Sequence, residues 1–179
     1  CWFYGQYVSR VRPILEYNCE MWSPSTIGDI DRVEAVQRRF TKKIKGLKYL
    51  AYPQRLEHCN LECLELRRIK RDLVLVYRII RGKIGLCFDR FFMLSHSTIT
   101  RGHSFKLYPK PTSTQLCLNS FAFRVVNVWN GLPSHVVEAS SVNVFKKRLD
   151  ACGQILKAHL RGRAIRDQWS GLWPTDRVM

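Results

Sequence analysis

Acid is what this sequence has least of. Its 179 residues carry 14 Asp and Glu against 30 Lys and Arg, a formal net charge of +16. A field of that sign draws polyanions, nucleic acid first and acidic membrane surfaces second. Long apolar runs are also missing. None approaches the ~20 residues that span a bilayer, and no signal peptide is visible, so neither stable membrane insertion nor secretion is expected. The seven cysteines are an odd number, which excludes a complete set of intramolecular disulfides. Cys19, Cys87, Cys117 and Cys152 sit among apolar neighbours, where a thiol behaves as a small hydrophobe. A reducing intracellular compartment, cytoplasm or nucleus, is the expectation. No serine nucleophile elbow, phosphate-binding P-loop or dinucleotide fingerprint is present. His58, Cys59 and Cys63 lack the second closely spaced Cys/His pair that a structural zinc site wants. With 46% hydrophobic and 25% charged residues, the composition is globular.

The cations that are present are not spread evenly. In "DIDRVEAVQRRFTKKIKG", residues 29–46, Ile30, Val33, Gln37, Phe40, Ile44 and Leu47 follow 3-and-4 spacing and predict one core-facing helical stripe, interrupted by the glutamine. Thr26 with Asp29 three residues on has the form of a capping box, and Gly46 is a stop. Asp29, Asp31 and Glu34 near the start and Lys42, Lys43 and Lys45 near the end suit the macrodipole. Arg38 and Arg39 in the middle are not explained that way. A second helix is predicted from Glu62 to Lys83, with Leu66, Ile69, Leu73, Val76, Tyr77 and Ile80 as its apolar stripe. Arg67, Lys70, Arg71, Arg78 and Arg81 crowd an adjoining face. Residues 32–48 and 67–83 together hold 14 of the 30 basic residues against two acids, Glu34 and Asp72. A solvated charged face usually mixes signs; these faces hardly do.

Before the first helix, residues 2–22 are rich in aromatic and aliphatic side chains, and Arg12-Pro13 predicts a kink or break. Residues 93–114 are rich in Ser, Thr, Pro and Gly and read as a connection into extended chain, with Phe105–Tyr108 and Gln115–Leu118 pairing as a small hairpin. "NSFAFRVVNVWNGLP" predicts a helix capped by Asn119 or Ser120 and stopped by Gly131, with Pro133 opening the next. The last clear helix starts at Ser140 or Ser141, carrying Val142, Phe145, Leu149, Cys152 and Leu156. The predicted organisation is a helical lobe over 1–92, a downstream lobe of hairpin and helices over 93–156, and a loosely ordered basic tail over 157–179. The fold class is mostly α, a helical bundle with a small β-hairpin.

Five blocks in order then carry a resemblance: "VRPILEYNCEMWSP", "DIDRVEAVQRRFTKKIKGL", "YLAYPQRLEHCNLECLELRRIKRDLVLVYRII", "TRGHSFKL" and "FAFRVVNVWNGLPSHVVEASSVNVFKKRLD". Over residues 7–150 the chain resembles the region following the polymerase core in reverse transcriptases of non-LTR, LINE-type (jockey-like) retrotransposons. The resemblance implies a thumb-like helical lobe that grips template–primer duplex or element RNA, beside the remaining reverse transcriptase domains. Chemistry would occur elsewhere, because that family holds magnesium on adjacent palm aspartates and this sequence has no Asp-Asp pair. No catalytic residue, metal or cofactor is therefore assigned to this chain. With a first residue of Cys1, it reads as part of a longer open reading frame.

The candidate phosphate-contacting residues are Arg38, Arg39, Lys42, Lys43, Arg67, Lys70, Arg71 and Arg78. Arg101 and His103 of "TRGHS" join them, where Gly102 lets backbone approach an anion. RNA or an RNA–DNA hybrid is the expected partner, met through its backbone with little base readout. Tyr49, Tyr52 and Tyr108 are candidate base-stacking aromatics. Two other classes stay open: a basic amphipathic membrane-surface or protein-interaction module, and a small enzyme built on the Cys/His set.

Overall fold

A computed structural model describes residues 2–95, 102–109 and 121–160. The chain enters through a nearly continuous helical stretch: α1 (Trp2–Gln6), a π-helical turn over Tyr7–Val11, and α2 (Arg12–Glu16). Pro13 accounts for the wide turn. Its nitrogen has no hydrogen to donate, and in an α-helix its ring would crowd the Ser9 carbonyl one turn back; the looser geometry upstream makes room. Asn18, at φ 49°, ends this stretch, and α3 (Cys19–Trp22) follows.

α4 (Ile27–Lys42) starts at the predicted cap. The Thr26 hydroxyl accepts from the Asp29 N–H at 3.2 Å and donates to the Asp29 carboxylate at 2.7 Å, satisfying one of the end's orphan donors. Beyond its end Gly46 sits at φ +85°, a conformation that costs a Cβ-bearing residue dearly. α5 (Tyr52–His58) comes next, a helix that hydrophobic periodicity does not announce. Its local signals are Pro53 in the first turn and Gln54, whose side chain accepts from the Ala51 N–H at 3.1 Å. α6 (Leu64–Ile80) ends with Gly82 at φ +59°.

After a 3-10 turn at Phe88–Arg90, β1 (Phe92–Leu94) pairs antiparallel with β2 (Leu107–Pro109), Phe92 opposite Pro109 and Leu94 opposite Leu107. The small hairpin is present, but its partner strand differs from the expected one: β2 pairs backward with β1. Residues 115–118 lie outside the described residues. Two strands alone are marginal in water. Here the Asn130 side chain clamps β2 by accepting from the Leu107 N–H at 2.9 Å and donating to the Leu107 carbonyl at 2.8 Å. Asn130 ends α7 (Phe121–Asn130); α8 (Ser134–Val137) and α9 (Val142–Ala151) follow, the last capped by Ser141, whose hydroxyl accepts from the Val144 N–H at 3.3 Å.

α6 is the central element. α3, α4, α7 and α9 all pack against it, which is why it is buried on more faces than its predicted stripe and hides Arg68 and Asp72 as well. One apolar cluster runs from Leu66 through Phe92, Leu107, Trp129 and Phe145 to Leu156, and so straddles the boundary expected at 92/93. Tyr77 stacks on Phe145 with ring centroids 4.5 Å apart and donates its hydroxyl to the Ala139 carbonyl at 2.6 Å. Residues 153–160 are also helical, with Leu160 against the same core. The first four residues of the expected loose tail therefore belong to the packed structure.

Candidate nucleic-acid interface

α6 carries four of the expected contact residues, and three of them are already partnered. Arg67 lies on the buried Glu16 carboxylate through Nε and, at 3.1 Å, through a second nitrogen; this hydrogen bonding holds its pKa above the ordinary value. Arg71 donates to the Glu16 carbonyl at 2.8 Å and stands 3.6 Å from Glu20. Lys70 bridges Glu62 and Asp150, the latter at 2.7 Å. Burial alone lowers the Lys70 pKa, and the two carboxylates reverse that and raise it. Arg67, Lys70, Arg71, Arg78 and Lys146 do line one cleft of about 380 Å³, but Glu20, Glu62 and Asp150 line it too. The near absence of balancing acid along this helix in the sequence does not carry over to the fold: carboxylates from α2, α3 and α9 and from the residues ahead of α6 answer Arg67, Lys70 and Arg71. Arg78 is exposed and makes no ion pair among the described residues.

The α4 half is different. Arg38 reaches two turns back to Asp31 at 2.6 Å and lies 5.4 Å over the Tyr52 ring. Arg39, Lys42, Lys43, Lys45 and Lys48 are exposed, and none makes an ion pair among the described residues. Arg39 has Lys42 and Lys43 three and four residues on, so all three side chains share one face. Lys45 and Lys48 continue the positive charge into the turn after the helix. Tyr49 beside them is 92% exposed, with the Lys48 ammonium 5.6 Å from its ring centre. Of the other aromatics, Tyr108 is half exposed on β2, and Tyr52 is turned inward. Charge repulsion along such a strip costs a few tenths of a kcal/mol per pair, so something else must hold the helix down.

That something is a buried polar network on α4's inner face. Tyr7 donates to Gln37 Oε1 at 2.6 Å; Gln37 Nε2 donates to the Glu62 carbonyl at 3.0 Å and to Tyr52 Oη at 3.1 Å. Tyr52 donates in turn to Glu34, whose other oxygen accepts from the Leu64 N–H at 2.9 Å. Burial, and for Tyr52 the carboxylate it donates to, pushes both tyrosine pKa values well above the ordinary phenol. Phe40 stacks on Tyr7 at 4.4 Å. The network ties the π-helical turn, α5 and the start of α6 to one side of α4, leaving the lysines the other side. The sequence signal for it was Gln37 and Glu34, polar groups on or beside an apolar stripe.

Arg101 lies outside the described residues. His103 is buried at 3% exposure, and its Nε2 sits 3.0 Å from the Trp129 carbonyl. A carbonyl only accepts, so Nε2 carries the proton and Nδ1, which has no hydrogen-bond partner among the described residues, is bare. Burial lowers its pKa from 6.5, so at neutral pH it is an uncharged wedge under Trp129. His103 is corrected from a phosphate ligand to a core residue. Among the described residues, no group of three His, Cys, Asp or Glu is placed to hold a metal ion, and no helix is long and apolar enough to cross a membrane. No protein-family model, curated protein or solved structure matches the chain.

Proposed function

We propose that this chain is a non-catalytic, nucleic-acid-binding segment of a non-LTR retrotransposon reverse transcriptase, contacting RNA or an RNA–DNA hybrid through phosphates. The single observation that carries the binding reading is the run of exposed Arg39, Lys42, Lys43, Lys45 and Lys48, none ion-paired among the described residues, beside exposed Tyr49. Each cation laid on a phosphate releases condensed counterions, which supplies affinity without base readout. The five sequence blocks support the family assignment. Any magnesium would belong to a palm with paired aspartates, and this chain supplies phosphate contacts alone.

A second reading, a protein- or membrane-surface module, draws on a separate feature. Ile14, Tyr17 and Met21 are 74–80% exposed near the N-terminal helices. The two readings part in one assay pair. The chain is expected to bind a hybrid duplex in a gel-shift titration and to stay behind when anionic vesicles are floated. Flotation with vesicles in the absence of duplex binding would transfer the conclusion to the second reading.

A further inference from the structure

Beside the strip, the turns that end α4 and α5 enclose a recess of about 490 Å³. Tyr4, Ile44 and Leu47 give it a partly aromatic, apolar lining, and Lys45, His58 and Asn60 add polar groups. We propose that this recess accepts one unpaired nucleobase from a strand whose phosphates run along Lys42, Lys43, Lys45 and Lys48. The proposal rests on the phosphate-binding reading of the strip and adds a ligand that the strip alone does not require.

Four features favour a base. The volume lies in the range of small-molecule sites, roughly 300–1,000 Å³. The half-buried Tyr4 phenol ring lines the recess, and an aromatic ring is a surface on which bases of any identity stack. The side chains of Tyr4, His58 and Asn60 make no hydrogen bond among the described residues, so their polar atoms are free for a base edge. The fourth concerns charge. The recess is framed by the C-terminal ends of two helices, where partial negative charge gathers. That suits a neutral ring carrying N–H donors, while Lys45 of the lining and Lys42, Lys43 and Lys48 beside it take the phosphates.

The walls are also fixed in advance. Asn60 is left-handed at φ 49°, with its N–H on the Glu57 carbonyl at 3.0 Å and the Leu61 N–H on the Leu56 carbonyl at 2.8 Å. This is a closed helix end of the kind asparagine and glycine favour. Gly46 holds the opposite turn at φ +85°, where nothing lies within 4 Å of an added Cβ. Its conformation requires glycine there, and its lack of a side chain keeps that lip open.

Fluorescence anisotropy with three forms of one hybrid tests this: blunt, with a one-nucleotide 3′ overhang, and with the same overhang lacking its base. The intact overhang is expected to bind about tenfold more tightly than the other two, in line with the worth of one stacked base. Tyr4→Leu is expected to erase that preference and leave blunt-duplex affinity unchanged. Asn60→Gly, which keeps the left-handed turn, is expected to reduce it. Should Tyr4→Leu not fold, the abasic comparison on the unaltered chain still decides. Equal affinity for all three hybrids would overturn the base recess while the strip stands; no binding to any of them would overturn both.

Discussion

Arg68 is a buried cation whose hydrogen-bond donors go unmet among the described residues. It is 1% exposed, none of its three guanidinium nitrogens has a hydrogen-bond partner among the described residues, and burial lowers its pKa. One turn on, Asp72 pairs with Arg124 at 2.9 Å while its second oxygen goes unmet. Replacing a buried group whose donors go unmet by an apolar one of similar shape removes that desolvation cost. Arg68→Met is therefore expected to raise stability by about 1–3 kcal/mol, the cost of leaving buried donors unmet, read from urea unfolding; a loss of that size would mean that Glu34, Glu65 and Asp72 repay the burial. Two other buried groups set opposing pH dependences. The folded His103 pKa is depressed below 6.5, so its contribution is whole above that value and fades as pH falls through the folded pKa. Burial lifts Asp72 from 3.8 to about 6, against the pull of Arg124, so its contribution is whole below 3.8 and is lost as pH rises through 6. His103→Gln keeps a donor for the Trp129 carbonyl and is expected to flatten the loss of stability on acidification below about pH 6.5. An unchanged urea midpoint-versus-pH curve would refute that assignment.

At the level of elements, α4 stays in place through polar contacts more than greasy ones. Glu34, Gln37 and Thr41 are buried, whereas the predicted stripe residues Ile30, Val33, Phe40 and Ile44 are half-buried. Gln37→Leu would strand the Tyr7 hydroxyl and the Glu62 carbonyl, and unsatisfied buried groups cost about 1–3 kcal/mol each. Destabilisation in that range is expected by chemical unfolding, and a neutral effect would show that the network does not anchor the helix. The same elements show what a sequence reveals. Thr26, Gly46, Gly131 and Ser141 mark helix ends through neighbours a few residues away, and those ends were legible; Gly82 closes α6 inside the helix expected to run to Lys83. The neutralisation of Arg67 by Glu16, 51 residues off, and of Lys70 by Asp150, 80 residues off, depends on how α6 is surrounded. Spacing along one helix shows the cations and conceals their partners. The β1 pairing was hidden for the same reason, and α5 because its seven residues are too few to show a period.

For the whole molecule, the net charge of +16 divides into cations committed to internal carboxylates and cations left to a partner. Arg67, Lys70 and Arg71 of α6 belong to the first group, and Arg39, Lys42, Lys43, Lys45 and Lys48 form a consecutive run of the second. The direct test is the salt dependence of hybrid-duplex affinity for the unaltered chain and two triple variants. Each phosphate engaged steepens the log–log slope by about 0.9 on duplex. Replacing Arg39, Lys42 and Lys43 with alanine is expected to weaken binding to all sequences alike and to flatten the slope by about one unit for every phosphate no longer held. Replacing Arg67, Lys70 and Arg71 is expected to lower the unfolding midpoint and leave the slope of the folded protein as it was. A slope that is unchanged in the first variant and flattened in the second would contradict the account.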